Sequence, residues 1–251
     1  MAESKTFWQD RAKLGLEAGT KDTIAKQLEI QEISKYIRDG MRILDVGCGN
    51  GITAIDLATH FQVDVLGLDI SPAMISEATR LASDRRLLGS VRFTVGDVTN
   101  IIGYFAPFDM VYTERVLINL DSWDLQKKAI LNIGNLLDTG SVFVMCECSQ
   151  SGLERLNLLR AKVGLTAITP PWHDRYIRDD EVNTLSNGRF SLEKVVDFSS
   201  TYYFLSRITN AWLSEQSGKE PDYQSLINQL ALQLPSTGNV GQVNIWLWRK
   251  E

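Results

Sequence analysis

The stretch LDVGCGNGITAIDLA, from Leu44 to Ala58, decides the fold of this 251-residue chain. An apolar run leads into it and a helical pattern leaves it, with glycines between them at alternate positions: Gly47, Gly49 and Gly51. Glycines in a strand-to-helix turn let a ligand contact the bare backbone. The dinucleotide fingerprint would place its third glycine at Ile52, and a phosphate-binding loop would carry Lys followed by Ser or Thr. The stretch matches neither pattern, so both of these nucleotide loops are disfavoured.

Short apolar runs alternate with amphipathic stretches after residue 40. The runs are rich in Val, Ile, Leu and Phe, and they predict strands at 41–46, 63–69, 91–97, 108–113, 141–147, 190–200 and 241–250. Helical spacing predicts helices between them at 52–59, 72–86 and 121–137. This alternation predicts an α/β fold, with a mostly parallel sheet covered by helices on both faces.

Three regions lie outside the alternation, namely 1–40, 150–188 and 203–238, and each contains helical spacing. The chain has no internal repeat, low-complexity tract or long linker. We therefore expect a single domain over residues 1–251, in which these three regions form a helical cap.

Acidic residues stand where three of the predicted strands end. Asp45 and Asp69 lie at the ends of the first and second strands, and Asp97 follows the third. Open α/β sheets bind ligands at the carboxyl ends of their strands, and an acid at the end of the second strand can accept hydrogen bonds from a ribose diol. Three carboxylates would repel a pyrophosphate, but they suit a nucleoside that carries a positive charge.

Four segments, in this order and spacing, resemble the class I S-adenosylmethionine-dependent methyltransferases: DVGCGNG, LDIS, GDV and FDMVYTERVLINL. The resemblance covers about residues 40–150. It implies a Rossmann-like seven-stranded sheet whose last strand, here 241–250, is antiparallel and lies between the fifth and sixth. It also implies S-adenosyl-L-methionine as the cofactor and S-adenosyl-L-homocysteine as the product.

The same resemblance assigns the cofactor site residue by residue. In the family the glycine loop wraps the methionine end of the cofactor, the acid after the second strand holds the ribose, and the following residues hold the adenine. Carried over to this chain, the positions are Asp45, Gly47, Cys48, Gly49 and Gly51 for the methionine end, Asp69 for the ribose, and Ile70, Met74, Asp97 and Val98 for the adenine.

Methyl transfer requires the acceptor atom to be held in line with the methyl carbon, at about 3–3.5 Å. A hydroxyl acceptor also needs a base, whereas no metal is required. The candidates for the base are His173, in the loop PPWHDRY, and Glu114, after the fourth strand. Each has a structural alternative: His173 could anchor its loop, and Glu114 could form a buried ion pair with Arg115 or Arg207.

Other residues belong to segments that should surround the methyl group. Arg115, together with Trp8 and Arg11 of the N-terminal FWQDR, is predicted to contact the cofactor. The predicted substrate-binding residues are Asn119, Trp172, Arg175, Tyr176, Tyr202, Tyr203 and Arg207. If several of the arginines converge, an anionic acceptor is indicated; solvated surface arginines are the alternative.

The composition limits the partners. A net charge of −5, with 44% hydrophobic and 23% charged residues, is typical of a soluble globular protein and disfavours nucleic-acid binding. No apolar run approaches the roughly 18–20 residues that span a bilayer, and the first residues lack the order of a signal peptide. The three cysteines fit a reducing compartment. We expect a cytoplasmic monomer or homodimer that binds neither nucleic acid nor membrane and holds no metal.

The leading interpretation is a methyltransferase that acts on a small polar or anionic acceptor, such as a sugar, a sugar phosphate or a secondary metabolite. O-methylation is favoured. The alternative is a non-catalytic cofactor-binding protein or a methyltransferase subunit that depends on a partner. A nicotinamide-dependent oxidoreductase is disfavoured by the glycine spacing.

Overall fold

A computed structural model describes residues 2–101, 107–185 and 190–251. Its strands are β1 (Arg42–Val46), β2 (Asp64–Asp69), β3 (Ser90–Val95), β4 (Phe108–Glu114), β5 (Leu137–Cys148), β6 (Phe190–Val196) and β7 (Val243–Lys250). They form one sheet in the order β3-β2-β1-β4-β5-β7-β6. β7 pairs antiparallel with β5 and β6, and the remaining pairs are parallel. The predicted α/β sheet, with its antiparallel last strand between the fifth and sixth, is confirmed.

The α-helices of the described residues are α1 (Ala2–Arg11), α2 (Thr23–Ser34), α3 (Ile52–His60), α4 (Pro72–Ser83), α5 (Trp123–Gly134), α6 (Gln150–Lys162), α7 (Asp179–Val182), α8 (Ser200–Phe204), α9 (Ala211–Gln216) and α10 (Leu226–Gln229). Several begin with a side-chain cap. Ser71 accepts a hydrogen bond from the Met74 N–H, and Asp22 accepts one from the Ala25 N–H. Such caps satisfy N–H groups that have no partner within the helix.

Several predicted boundaries were wrong. The helix predicted at 121–137 ends at Gly134, because Leu137 already begins β5. The helix predicted at 72–86 ends at Ser83. The strand predicted at 190–200 ends at Val196, and Ser200 begins α8. There the Asp197 carboxylate accepts hydrogen bonds from the Ser200 N–H and the Gly241 N–H, which turns the chain out of the sheet.

The last strand lies inside the sheet. Trp246 and Trp248 of β7 are fully buried, and Phe190 stacks on Trp248 with ring centroids 5.0 Å apart. Burial of one large apolar side chain stabilises a fold by roughly 1.5–3 kcal/mol. β7 therefore contributes to the core. Within the described residues, no helix has both the length and the apolarity that crossing a membrane requires.

Candidate active site

A cavity of about 640 Å³ opens at the carboxyl ends of β1, β2 and β4. One half is lined by the turns that follow these strands. The other half is lined by chain segments outside the sheet: 7–26, 171–174 and 203–223. Pockets of roughly 300–1,000 Å³ hold small-molecule ligands. The cavity is therefore large enough for a small molecule and joins the sheet edge to segments from all three predicted cap regions.

The glycine turn forms the floor of the first half. The φ angles of the three glycines are positive: +74° at Gly47, +53° at Gly49 and +76° at Gly51. Residues other than glycine rarely adopt this backbone conformation. A Cβ on Gly47 would lie 2.3 Å from a methyl group of Val116, and one on Gly51 would lie 2.7 Å from the Phe93 ring. A Cβ on Gly49 would meet no atom of the described residues within 4 Å. Gly49 therefore leaves open space, whereas Gly51, which does not line the cavity, closes the turn against Phe93.

Three carboxylates line this half of the cavity, as the strand ends predict. Asp69 accepts hydrogen bonds from the Gly49 N–H at 2.9 Å and the Ser71 N–H at 2.8 Å, which ties β2 to the glycine turn. Asp97 accepts at Oδ1 from the N–H and the hydroxyl of Thr99, both at 2.8 Å. Burial raises the pKa of Asp45 to about 7 and also raises that of Asp69. Ile70, Met74 and Val98 line the cavity beside them.

A buried ion pair forms part of the cavity lining. Lys26 of α2 donates to Oε2 of Glu114 at 2.7 Å, and the Thr53 hydroxyl donates to the same oxygen at 2.6 Å. Burial alone would raise the pKa of Glu114, but Lys26, a hydrogen bond with Glu29 and then Arg115 outweigh it, so the pKa falls to about 2. A carboxylate held ionised this firmly is a poor proton acceptor. The geometry therefore favours the ion-pair alternative for Glu114, with Lys26 as the partner.

Arg115 has the only positive φ, +56°, among the described residues other than glycine. Its guanidinium lies 3.1 Å from the Glu29 carboxylate, which is itself buried. Burial raises the pKa of Glu29 well above its usual range, although Arg115 opposes the rise. A positive φ at a residue other than glycine costs about 1–3 kcal/mol of conformational strain, and such residues cluster at functional sites.

The loop after Arg115 is held by Glu147, a fully buried residue of β5. Its carboxylate accepts hydrogen bonds from the N–H groups of Val116 and Leu117 at 3.1 and 3.0 Å, and from that of Ile118 at 3.4 Å. Burial raises the pKa of Glu147 to about 7. These hydrogen bonds fix the loop that carries Asn119. Asn119 lines the cavity, and its Oδ1 is buried without a partner among the described residues.

His173 lies on the opposite wall, with one face against aromatic rings. Its ring centroid is 4.6 Å from that of Phe7 and 6.0 Å from that of Trp8. Nε2 lies 3.4 Å from a carboxylate oxygen of Asp174, and Nδ1 is buried without a partner among the described residues. Burial, and then Arg11, lowers the pKa of His173. Burial raises the pKa of Asp174 to about 6.

Arg207 lies at the far end of the cavity among tyrosines. Its guanidinium donates to Asp22 at 2.6 Å and lies 4.6 Å from the Tyr223 ring centroid and 5.3 Å from that of Tyr203. Tyr203 lines the cavity, whereas Tyr202 is buried beside it and donates its hydroxyl to Asp22 at 2.5 Å. Arg207 belongs to a π-helical turn, Leu205–Asn210, a geometry often found at functional sites.

The structure moves some predicted substrate contacts away from the cavity. Arg175 donates to Gln126 at 2.6 Å and pairs with Glu181, and its N–H donates to the Ile118 carbonyl. Tyr176 is buried, and its hydroxyl accepts from Gln242. Together with Tyr202, these residues do not line the cavity; they anchor the walls. Trp172 is 69% exposed and contacts the ring of His173 from outside.

The arginines do not form a free anion site. Arg11 donates to the carbonyls of Ala18 and Glu17 at 2.6 and 2.9 Å, so it braces the N-terminal segment while lining the cavity. Arg115 and Arg207 each pair with a carboxylate. This pairing weakens the support that convergent arginines would have given to an anionic acceptor, although Arg11 has only carbonyl partners.

Sequence reasoning missed several of these residues. Lys26 and Glu29 follow Asp22 at helical spacing, so one face of α2 carries three charges toward the site, which is a readable signal. Glu147 is an acid in an apolar strand, and Asp174 adjoins His173 in the loop PPWHDRY. Among the described residues, no group of three or more His, Cys, Asp or Glu side chains could hold a metal ion.

Comparison with known proteins agrees with this geometry. A family model described as a methyltransferase domain matches residues 37–173. The O-methyltransferase rstn1 of Aspergillus nomiae is 33% identical over 113 residues, which are 45% of this chain and 48% of that protein. The 27-O-demethylrifamycin SV methyltransferase of Amycolatopsis mediterranei is 31% identical over 153 residues, 59% of this chain and 53% of that protein. The chain thus spans about half the length of these curated relatives.

A solved structure extends the likeness to the whole fold. A TehB-like SAM-dependent methyltransferase from Corynebacterium glutamicum superposes with a TM-score of 0.59 at 17% identity, covering 100% of this chain and 99% of that one. At this identity the likeness shows the fold alone.

Proposed function

Because this chain belongs to the methyltransferase-domain family, we propose that it transfers a methyl group from S-adenosyl-L-methionine to a hydroxyl oxygen of a small molecule. One observation carries the proposal. A single cavity contains the left-handed glycine turn, three carboxylates at neighbouring strand ends and, on the facing wall, a histidine with a lowered pKa. The first two features suit the cofactor, and the third suits deprotonation of an acceptor.

The residues present fit the cofactor. Open space above Gly49 leaves room for the methionine end, where a side chain would intrude. Asp69 keeps acceptor capacity for the ribose beyond its two backbone hydrogen bonds. Thr99 occupies Oδ1 of Asp97, so Oδ2 is the oxygen that would receive the adenine amino group. When bound, S-adenosyl-L-methionine supplies an electrophilic methyl group on sulfur.

His173 is the residue that fits the role of base. Its pKa is lowered, so the imidazole is neutral near pH 7 and can accept the hydroxyl proton. Glu114 is held ionised by Lys26 and engages the Thr53 hydroxyl, so it serves instead as the anchor of the ion pair. Proton acceptance by a positioned side chain typically accelerates a reaction by about 10²–10⁴-fold. The two O-methyltransferase relatives support oxygen as the acceptor atom.

Calorimetric titration with S-adenosylmethionine, S-adenosylhomocysteine and NADH tests the proposal. We expect the first two to bind, and Asp69→Ala to weaken both by about 1–3 kcal/mol, because ribose hydroxyls lose their acceptor. Asp64→Ala, at the other end of β2, is the matched control and should leave both affinities unchanged. Binding of NADH alone, or of none of the three, would contradict the proposal. If S-adenosylmethionine binds but no S-adenosylhomocysteine is formed with any member of a broad panel of hydroxyl compounds, the non-catalytic alternative is favoured.

A further inference from the structure

The acceptor half of the cavity has two aromatic walls. On one side Phe7 and Trp8 lie with ring centroids 5.1 Å apart, and Phe7 lies 4.6 Å from His173. On the other side Tyr203 and Tyr223 flank Arg207. Aromatic side chains stabilise a planar partner through offset or edge contacts, beyond the area they bury. The methyl-transfer chemistry itself uses only His173, so the other rings remain to be explained.

Among the described residues that line the cavity, the buried polar atoms without partners are hydrogen-bond acceptors, except Nε of Arg115, which is a donor. Oδ1 of Asn119 and Nδ1 of His173 are buried and unpartnered among the described residues. Within the described part of the chain, the Asp174 carboxyl makes a 3.4 Å contact with His173, and burial raises its pKa although Arg115 opposes the rise. A buried acceptor without a partner costs about 1–3 kcal/mol, which a ligand donor would recover. The site therefore calls for a ligand with more than one hydroxyl donor.

Most cations around the cavity already have hydrogen-bond or ion-pair partners. Arg11, Arg115, Arg207 and Lys26 bond to carbonyls or carboxylates. Lys21, which is exposed, and Arg11, which bonds only to carbonyls, are the two lining cations for which the described residues supply no acid partner. Six carboxyl groups line the cavity against five cationic side chains in the described part of the chain. The lining thus holds more carboxyl groups than cationic side chains, which disfavours an anionic acceptor.

We propose that the acceptor is a neutral, planar phenol that carries a second hydroxyl; this rests on the methyl transfer proposed above. The ring packs between the Phe7 and Tyr203 walls, and the second hydroxyl donates to Asn119 or Asp174. The reacting oxygen forms the new bond to the methyl carbon as the carbon–sulfur bond breaks and sulfur keeps the electron pair. The phenolic proton passes to His173 and then to solvent, so the products are a neutral aryl methyl ether and S-adenosylhomocysteine.

A matched panel separates this class from its rivals. The probes are methyl protocatechuate, the neutral phenol; protocatechuate, the same ring with a carboxylate; dopamine, the same ring with an ammonium; and methyl glucoside, a neutral polyol that is not planar. Methylation is followed at pH 7 with a chelator present. We expect kcat/KM for the ester to exceed that for each of the others by about tenfold or more, equivalent to about 1.4 kcal/mol. Preference for the carboxylate, the ammonium or the glucoside would overturn the inference.

Binding measurements keep this inference separable from the proposed function. If S-adenosylhomocysteine binds, but its complex does not bind the ester and the enzyme supplied with S-adenosylmethionine does not methylate it, the phenol inference fails and the proposed function stands. If S-adenosylhomocysteine does not bind, both fail.

A pair of variants tests the aromatic wall itself. Phe7→Leu keeps an apolar side chain but removes the ring, so we expect the KM for the ester to rise by up to about tenfold while the affinity for S-adenosylhomocysteine is unchanged. Phe204→Leu makes the same change at a half-exposed ring that does not line the cavity, and it should leave the KM unaltered. Equal effects of the two variants would overturn the assignment of Phe7 to the acceptor.

Discussion

The ammonium group of Lys26 lies 2.7 Å from Oε2 of Glu114, and this contact joins α2 to the end of β4 across 88 residues of sequence. The side chain of Glu114 is 6% exposed and that of Lys26 is 22% exposed, so water screens the pair weakly. Both side chains line the cavity. Because the pair is largely buried, its removal should lower the stability of the fold.

We expect Lys26→Met to lower the free energy of unfolding by about 3–5 kcal/mol, because it leaves the Glu114 carboxylate buried without its cation. Urea denaturation measures this loss. Lys35→Met breaks an ion pair with Glu32 in which the lysine is 64% exposed, and it should cost no more than about 1 kcal/mol. Similar losses in the two variants would show that the Lys26 contact is no stronger than a surface pair.

The buried Glu147 predicts a pH dependence of stability. Its pKa is raised by burial from 4.5 to about 7, so between these values the folded state retains a proton that the unfolded state has lost. The contribution of Glu147 to the free energy of unfolding should therefore be fully present below about pH 4.5. It should be lost as the pH rises through 7, which lowers the stability by on the order of 1–3 kcal/mol. Glu147→Gln should flatten this decline, measured by denaturation between pH 5 and 8. Glu154→Gln, on the exposed side of α6, should not.

His173 should control the acid limb of the activity profile. Its pKa lies below the usual 6.5, mainly through burial and then through Arg11, so kcat/KM should hold its plateau to below pH 6.5 and fall once the imidazole gains a proton. His173→Asn should reduce kcat by about 10²–10⁴-fold. Arg11→Gln should move the acid limb to higher pH, whereas Lys13→Gln, at an exposed position nearby, should leave it in place. If the acid limb does not move in Arg11→Gln, Arg11 does not influence the pKa of His173.

The glycine turn allows a clean separation of backbone strain from loss of ligand space. Gly49→Ala places a methyl group in open space at a positive φ, so we expect a stability loss of about 1–2 kcal/mol together with weaker binding of S-adenosylhomocysteine. Gly140→Ala imposes a similar strain, at a φ of +84° with no atom near the new methyl group, far along the chain from the turn. Gly140→Ala should therefore lower the stability by the same amount and leave the affinity for S-adenosylhomocysteine unchanged. Unchanged affinity in Gly49→Ala would place the cofactor elsewhere.

Much of the fold could be predicted from local pattern. The alternation of strands and helices, the glycine turn and the acids at the strand ends each depend on residues near one another in the sequence. Asp69 illustrates this, since the strand end alone places it beside the turn. The resemblance to a known family, rather than periodicity, supplied the antiparallel position of β7.

The acceptor side could be predicted far less well, because its contacts join distant parts of the chain. The pair of Asp22 and Arg207 spans 185 residues, and no local pattern reveals that this arginine is already neutralised. Arg175 adjoins Asp174 in one short loop, yet Asp174 lines the cavity and Arg175 braces the wall behind it. Which way each side chain faces depends on tertiary packing, since the carbonyl of Ile118 accepts from the Arg175 N–H.

The division of the cavity has an evolutionary consequence. The residues proposed for the nucleoside come from the sheet edge, whereas the opposite wall is contributed by 7–26, 171–174 and 203–223. Substitutions in these latter segments can accumulate without altering the glycine turn or the strand ends. A lineage can thus exchange one acceptor for another while the donor half is inherited intact, and descendants of this chain can diverge in product far more readily than in fold.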